Sequence, residues 1–408
     1  MRLKLIVIVF VTLLVIYALL HIFFKLKYPF WYTQPVFHFY NFSYWLNPPG
    51  LLQSELPPVL FSYLNQINIR TIDVGATDLT TDVVTLKRAC QVVKDHFVYD
   101  PHVTYKPSQT DILAPLSNSQ QHGYLSVYEM PRLLFDTTTA TPDKEVLAVF
   151  SARSLNVKKN KDNLNLAFSL YYVDNLCVHP SYRQKNIAPQ MIYTTYYNLR
   201  RMNPNINTFM FKREGQLNAM VPFIIYQMVA LDLSTLAMKK PSPIHAAYQI
   251  LEISEKKEHV NLLWRFLTTE ELDKLFDWTF IPDMTNLTTL LKTKSLLIKG
   301  IFSITEDKLV GIYVFRQSEL YYKNRKIINL VTSCFLKSSC SQELFLTVFQ
   351  NLILAATTML IEETGYNANL TTALLRLNAT QLFKSPAAYY LYNYASYSCK
   401  SEKVLLLF

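Results

Sequence analysis

The chain of 408 residues contains only 7 glycines, where average usage of about 7% would place several times more. Loops that wrap a phosphate closely rely on glycine, because a Cβ blocks the approach or strains a left-handed turn. No G-x-x-x-x-G-K-[ST] loop, G-x-G-x-x-G turn, G-x-S-x-G elbow or H-E-x-x-H pair occurs. The familiar nucleotide loops, the hydrolase elbow and zincin chemistry are therefore excluded in those forms. Cysteine is also scarce. Cys90, Cys177, Cys334, Cys340 and Cys399 are odd in number, widely spaced and form no C-x-x-C pair, so they read as reduced cytosolic thiols. The sequons at Asn41, Asn286, Asn369 and Asn378 point instead to a lumen; in a chain this rich in Asn and Thr they read as chance. Acidic residues are outnumbered, 30 against 40 Lys and Arg, for a formal charge of +10. The excess suits phosphates or an anionic membrane. It is scattered, with no basic block, so no nucleic-acid partner is expected.

What the chain does have is an uncharged apolar run, Leu5 to Phe24, matching the roughly 20 residues that cross hydrocarbon. It is longer than a signal-peptide core, and no small-x-small cleavage site follows it. We expect residues 1–27 to be a single-pass anchor. Arg2 and Lys4 before the span balance Lys25 and Lys27 after it, so the positive-inside rule leaves orientation open.

Beyond the anchor, Pro29, Pro35, Pro48 and Pro49 forbid a continuous helix over Tyr28 to Leu51. Helical spacing covers Asp82 to Val98. From Lys144, EVLAVFSARSLNV and LNLAFSLYYVDNLCV flank the polar turn KKNKDN and read as a hairpin, followed by a helix over Ala188 to Arg201. A polar, proline-bearing stretch at Met238 to Pro243 suggests a boundary between halves 28–237 and 238–408. The second half is patterned like the first, with a helix near Leu262 to Phe276, strands LLIKGIFSIT and KLVGIYVFRQ, and a helix from Glu343 to Glu363 closed by Gly365 as C-cap. That last helix is apolar enough to suggest a second span, but its interrupting Thr347, Gln350, Asn351 and Thr357 favour a core helix. An internally duplicated α+β fold is the economical reading.

The most informative segment is Val173 to Ile192. A strand ends near Val178, a loop carries Arg183 and Lys185, and a helix starts near Ala188, so backbone N–H groups and cations converge at a positive helix end. An ordinary solvated loop is the alternative. Leu176-Cys177-Val178-His179, Arg183, Ala188 and Pro189 resemble the acyl-CoA signature of the N-myristoyltransferases, a family of two fused GNAT-like halves. Tyr28-Pro29-Phe30-Trp31-Tyr32-Thr33-Gln34-Pro35-Val36 resembles the family's Y-x-F-W-x-T-Q-P-V segment. Tyr389-Tyr390-Leu391-Tyr392-Asn393-Tyr394, with Glu402-Lys403-Val404 after it, resembles its terminal Y-Y-L-Y-N-W and final strand.

The resemblance covers the chain beyond the anchor, so the N-terminal transmembrane helix read from the apolar run is followed by what the resemblance implies: a duplicated GNAT-like fold that moves a fatty acyl group from acyl-CoA to an N-terminal glycine or other amine. Acyl-CoA enters as co-substrate, with no prosthetic group and no metal. The implied acyl-CoA contacts are Tyr28, Phe30, Trp31, Arg183, Gln184, Lys185, Asn186, Ile187, Ala188 and Pro189. The implied oxyanion donors are the backbone N–H groups of Asn175 and Leu176, and the implied base is the carboxylate of Phe408, drawn inward by Val404-Leu405-Leu406-Leu407. From the residues alone, a frayed, solvated terminus is the alternative. His179 and Cys177 are read as structural. A cytosolic acyl-CoA supply would place the body in the cytosol.

Departures gather on the peptide side. Asp174 stands where the family has Asn, Lys212-Arg213-Glu214-Gly215 where it has Y-T-A-G, Tyr226-Gln227-Met228 near its W-H pair, and Lys384-Ser385-Pro386 in a glycine-bearing loop; the tail is one residue short. They leave open a second reading: a catalytically inactive binding or scaffold protein on a membrane.

Overall fold

The computed structural model describes all residues except 1, 47–49, 76–81, 99–101, 118, 132–143, 161–165, 216–219, 235 and 237–241, and except the side chains of 2, 3 and 318. Helix α1, Arg2–Lys27, contains the apolar run. Among the described residues it is the one helix long and apolar enough to cross a membrane. The proline-bearing stretch forms two short helices, α2 (Pro29–Thr33, with proline in the first turn) and α3 (Phe42–Leu46).

Strands Lys144–Lys159 and Leu166–Val178 pair antiparallel. The chain then crosses through the helix Ile187–Met202 and returns as Thr208–Glu214, parallel to Leu166–Val178. The second half repeats these events: Lys308–Tyr322 pairs antiparallel with Arg325–Phe335, the helix Gln342–Leu352 follows, and Thr358–Glu362 returns parallel to Arg325–Phe335. The duplicated α+β fold is thus visible as two copies of hairpin, helix and parallel strand. The boundary expected at Met238 to Pro243 falls largely outside the described residues, as does the second half of the hairpin turn KKNKDN, whose first two lysines end the strand Lys144–Lys159.

One 16-stranded sheet joins the two copies. Thr380–Tyr392, from the end of the chain, lies between Thr208–Glu214 and Ile224–Asp232, antiparallel to both. The last strand, Val404–Leu406, runs parallel to Trp278–Ile281, which in turn pairs with Lys144–Lys159. All five side chains from Val404 to Phe408 are at most 1% exposed. Burying such side chains is worth about 1.5–3 kcal/mol each, so seating the tail gains on the order of 10 kcal/mol before its ordering cost. The terminus is therefore docked, and a frayed end is excluded.

Two expected helices need correction. The helix expected over Glu343 to Glu363 ends at Leu352, and Thr358–Glu362 is a fully buried strand. β-Branched Thr357 and Thr358 suit the pleated backbone. Gly365 accordingly caps no helix; its φ of +55° lets the chain turn where a Cβ would meet the Ser333 carbonyl at 2.7 Å. The helix expected over Leu262 to Phe276 is two, Lys257–Leu267 and Glu270–Leu275, separated by Thr268 and Thr269.

Candidate active site

The strand Leu166–Val178 builds the centre of the site. Its register with Lys144–Lys159 pairs Asp174 with Ser151 and Cys177 with Val149, so Asn175 and Leu176 together face one residue. This is a β-bulge, which takes both residues out of regular pairing and re-aims their backbone groups. Asn175 has a φ of +54°, tolerable for asparagine. The same substitution for glycine recurs: of eleven described non-glycine residues with positive φ, five are Asn. That is how a glycine-poor chain makes its tight turns.

The bulge sits where two clefts meet. The first, about 380 Å³, is walled by rings, Trp31, Phe150, Tyr196, Phe209, Phe211 and Tyr392, with Asn175 and Leu176. Trp31 stacks on Phe211 at 5.6 Å between centroids, and Phe30 packs behind it on Tyr63. Tyr28 lies apart, stacked on Phe24 of α1. The segment after the anchor is held by the far end of the chain: Val36 bridges Tyr392, the Asn393 N–H donates to the Pro35 carbonyl at 2.7 Å, and the Tyr392 hydroxyl donates to the Gln34 side chain. Two motifs more than 350 residues apart in the chain thus form one wall.

Below the bulge, the loop to the helix Ile187–Met202 leaves Arg183, Gln184, Lys185 and Asn186 exposed. Gln184 and Asn186 adopt positive φ. Asn186 precedes the helix without capping it by its side chain, so the first-turn N–H groups of Ile187 and Ala188 have no capping side chain, and Pro189 carries no N–H. In the second copy the equivalent helix start is closed by the Ser341 hydroxyl, which accepts the Leu344 N–H. Only the first copy keeps its positive helix end open. Arg183 is partly occupied, donating to the Val178 and His96 carbonyls. Lys185 lies over the Tyr182 ring at 4.5 Å. His179 accepts the Ser181 N–H. Cys177 is buried, and burial pushes its thiol up to about 11, as a packed cysteine rather than a nucleophile.

The second cleft, about 530 Å³, shares Asp174, Asn175 and Lys212 with the first and is lined by Arg153, Arg316, Glu362 and Phe408. Here sequence reasoning missed most of what matters. Arg316 donates to the terminal carboxylate of Phe408. Glu362 is fully buried, accepting from the Tyr226 hydroxyl at 2.8 Å and the Asn329 amide at 3.1 Å, with the Lys212 ammonium at 3.4 Å. Burial opposes its charge, but Lys212 and Arg316, then those two hydrogen bonds, hold its carboxyl below the usual range. Burial likewise opposes the Arg316 charge, while Glu362 and the neighbouring phenols of Tyr172 and Tyr389 raise its pKa on balance. Arg153 lies over the rings of Tyr172 and Phe408, and burial followed by the Arg316 charge brings it down to about 10. Arg153 and Arg316 each follow an apolar stretch of their strand, Val146–Phe150 and Leu309–Phe315, the one signal the sequence offered.

Asp174 completes the picture. Its Oδ1 accepts the Asn175 N–H at 2.8 Å, so one expected oxyanion donor is covered by a carboxylate. The described residues contain no cluster of metal-ligating side chains.

No family model matches the sequence, and no curated protein matches it. Solved structures do. Saccharomyces cerevisiae N-myristoyltransferase with bound myristoyl-CoA superposes with a TM-score of 0.63 at 13% identity, over 92% of this chain and 94% of that one. The N-myristoyltransferase fold is therefore present. A second structure of the yeast enzyme with myristoyl-CoA gives 0.64 over 91% and 89%, and one that also holds inhibitors gives 0.64 over 92% and 91%, both again at 13% identity. The N-myristoyltransferase fold of this chain thus extends over nearly its whole length, with very little of the yeast sequence retained.

Proposed function

We propose that this chain is a membrane-anchored, N-myristoyltransferase-like protein that binds acyl-CoA and transfers its acyl group to an N-terminal glycine or another amine. The observation that carries the reading is the bulge at Asn175 and Leu176, placed where a ring-lined cleft meets a cleft containing the buried chain terminus. The acyl chain would lie among Trp31, Phe209 and Phe211, and the CoA phosphates at the open helix start with Arg183 to Pro189. The thioester carbonyl would sit at the bulge. The amine would enter through the second cleft, lose a proton to the Phe408 carboxylate and attack the thioester carbon, after which the thiolate leaves and takes up a proton. Holding the reactants in line supplies much of the catalysis without a covalent enzyme intermediate.

A second reading, binding without turnover, is favoured by two specific contacts. Arg316 on the Phe408 carboxylate makes it a poorer base, and Asp174 on the Asn175 N–H opposes an oxyanion there. Incubating the full chain in detergent with myristoyl-CoA and glycine-terminated peptides separates the two. The enzyme reading predicts an acylated peptide mass, abolished by extending the chain beyond Phe408. Acyl-CoA retained in native mass spectrometry with no transfer to any peptide would replace it by the binding reading.

A further inference from the structure

Helix α1 does not leave the body at its end. The ring of Tyr17 lies 5.7 Å from that of Phe42, His21 packs against Tyr40 at 4.7 Å, and Phe24 packs against Tyr40 and Phe39 at 5.0 and 5.2 Å. The segment from Phe39 to Phe42 therefore runs back along α1, away from Lys27, and α3 then packs through Tyr44 and Trp45 on Phe37 and Tyr397. Tyr17 is seven residues before Phe24, which at 1.5 Å per residue is about 10 Å inside the end of the apolar run. If the bilayer surface lay on the far side of Tyr17, only Leu5 to Ile16 would remain to cross it, about 18 Å of helix against roughly 30 Å of hydrocarbon. A spanning α1 thus cannot keep this lobe in water.

We infer that the lobe formed by Phe39 to Leu46 is sunk in the hydrocarbon of one leaflet beside α1, so that the body dips into the membrane it is anchored to. This rests on the reading of α1 as a membrane span. The lobe's composition fits: no Asp, Glu, Lys or Arg occurs between Lys27 and Glu55, where each charge at depth would cost about 2.5–3.5 kcal/mol. Its surface fits as well, because Phe39, Phe42, Trp45 and Leu46 are 43%, 59%, 41% and 86% exposed. Exposed indoles in water usually leave their N–H to solvent, but Trp45 donates its own to the Phe39 carbonyl at 2.9 Å. The Tyr397 hydroxyl donates to the Trp45 carbonyl at 3.0 Å. Backbone N–H groups of Asn41, Phe42 and Tyr44 are met by the carbonyls of His38, Tyr40 and Asn41. Such internal satisfaction is what an irregular segment needs at membrane depth. The consequence for the site is direct. α2 links this lobe to the ring-lined cleft through Trp31, so that cleft is held at the headgroup level, where a fatty acyl chain passes between protein and leaflet without crossing water.

The test places the photoreactive residue benzoylphenylalanine at Phe42 in the full chain, reconstituted in phosphatidylcholine vesicles, with the same residue at exposed Ile67 as control. Several-fold more lipid adduct at position 42 than at 67 is expected. Equal adducts in protein that floats with the vesicles would overturn the dipping lobe while leaving the anchor standing, as would a crosslink from position 42 to a second copy of the chain. Protein that does not float would overturn the anchor, and the inference with it. An independent readout needs only the conservative surface change Trp45→Phe: lipids brominated along the acyl chain should quench the wild-type fluorescence more than that of the variant, and equal quenching contradicts the proposal.

Discussion

Replacing Glu362 by Gln keeps the shape of a fully buried side chain and removes its charge. In the native protein that charge faces Lys212 at 3.4 Å and accepts hydrogen bonds from Tyr226 and Asn329. Glutamine can still accept from one of the two donors, but its NH2 then points at the other, while Lys212 is left with the exposed Glu214 and Arg316 with the Phe408 carboxylate as counter-charge. Breaking a buried pair by removing one partner costs about 3–5 kcal/mol, so urea unfolding of the detergent-solubilised chain should show a loss of that size. The pH dependence gives a second handle. The Glu362 carboxyl titrates below its usual range in the folded protein, so its stabilisation is complete above the unfolded pKa of about 4.3 and fades as pH falls through the lower folded value. The variant should lack that part of the acid limb. A loss under about 1 kcal/mol, as for an exposed ion pair, with an unchanged acid limb, would refute the claim that these charges depend on one another.

Asp174→Asn removes a negative charge from the bulge while its amide oxygen can still accept the Asn175 N–H; if transfer occurs there, kcat should rise by about tenfold, or 1.4 kcal/mol, and a fall would instead mark Asp174 as the proton acceptor. Asn286 is 1% exposed and donates to the Ala114, Pro115 and Ser117 carbonyls, so Asn286→Asp should be destabilising and peptide mapping should find no glycan on it; a glycan there contradicts the packing of that helix. Cys177 should resist maleimide at neutral pH, because burial raises its thiol to about 11; rapid labelling of the folded protein would show that the strand beside the bulge opens.

Much of the scaffold was legible in the chain. Two apolar runs flanking a polar turn between Lys144 and Val178 announced the hairpin, and the apolar last residues offered a buried terminus as one of two readings. The run from Gln342 to Glu362 was misread because helix and strand are both apolar there and only the short stretch from Ile353 to Thr357 separates them. The site was harder. A bulge leaves no composition signal, and nothing local told that Arg316 would meet Phe408 or that Glu362 would meet Lys212. Those meetings depend on a sheet in which strands of one copy complete the other, which is information about topology rather than about any segment. Arg153 and Arg316 could have been flagged: a guanidinium that follows an apolar stretch of a strand and is buried with it needs a partner.

The central claim is that the ring-lined cleft beside Asn175 and Leu176 takes acyl-CoA. Calorimetric titration of the full chain in detergent with a non-hydrolysable thioether analogue of myristoyl-CoA tests it without requiring turnover. Saturable one-to-one binding, weakened by Trp31→Ala, is the predicted result, and the absence of saturable binding would contradict the account.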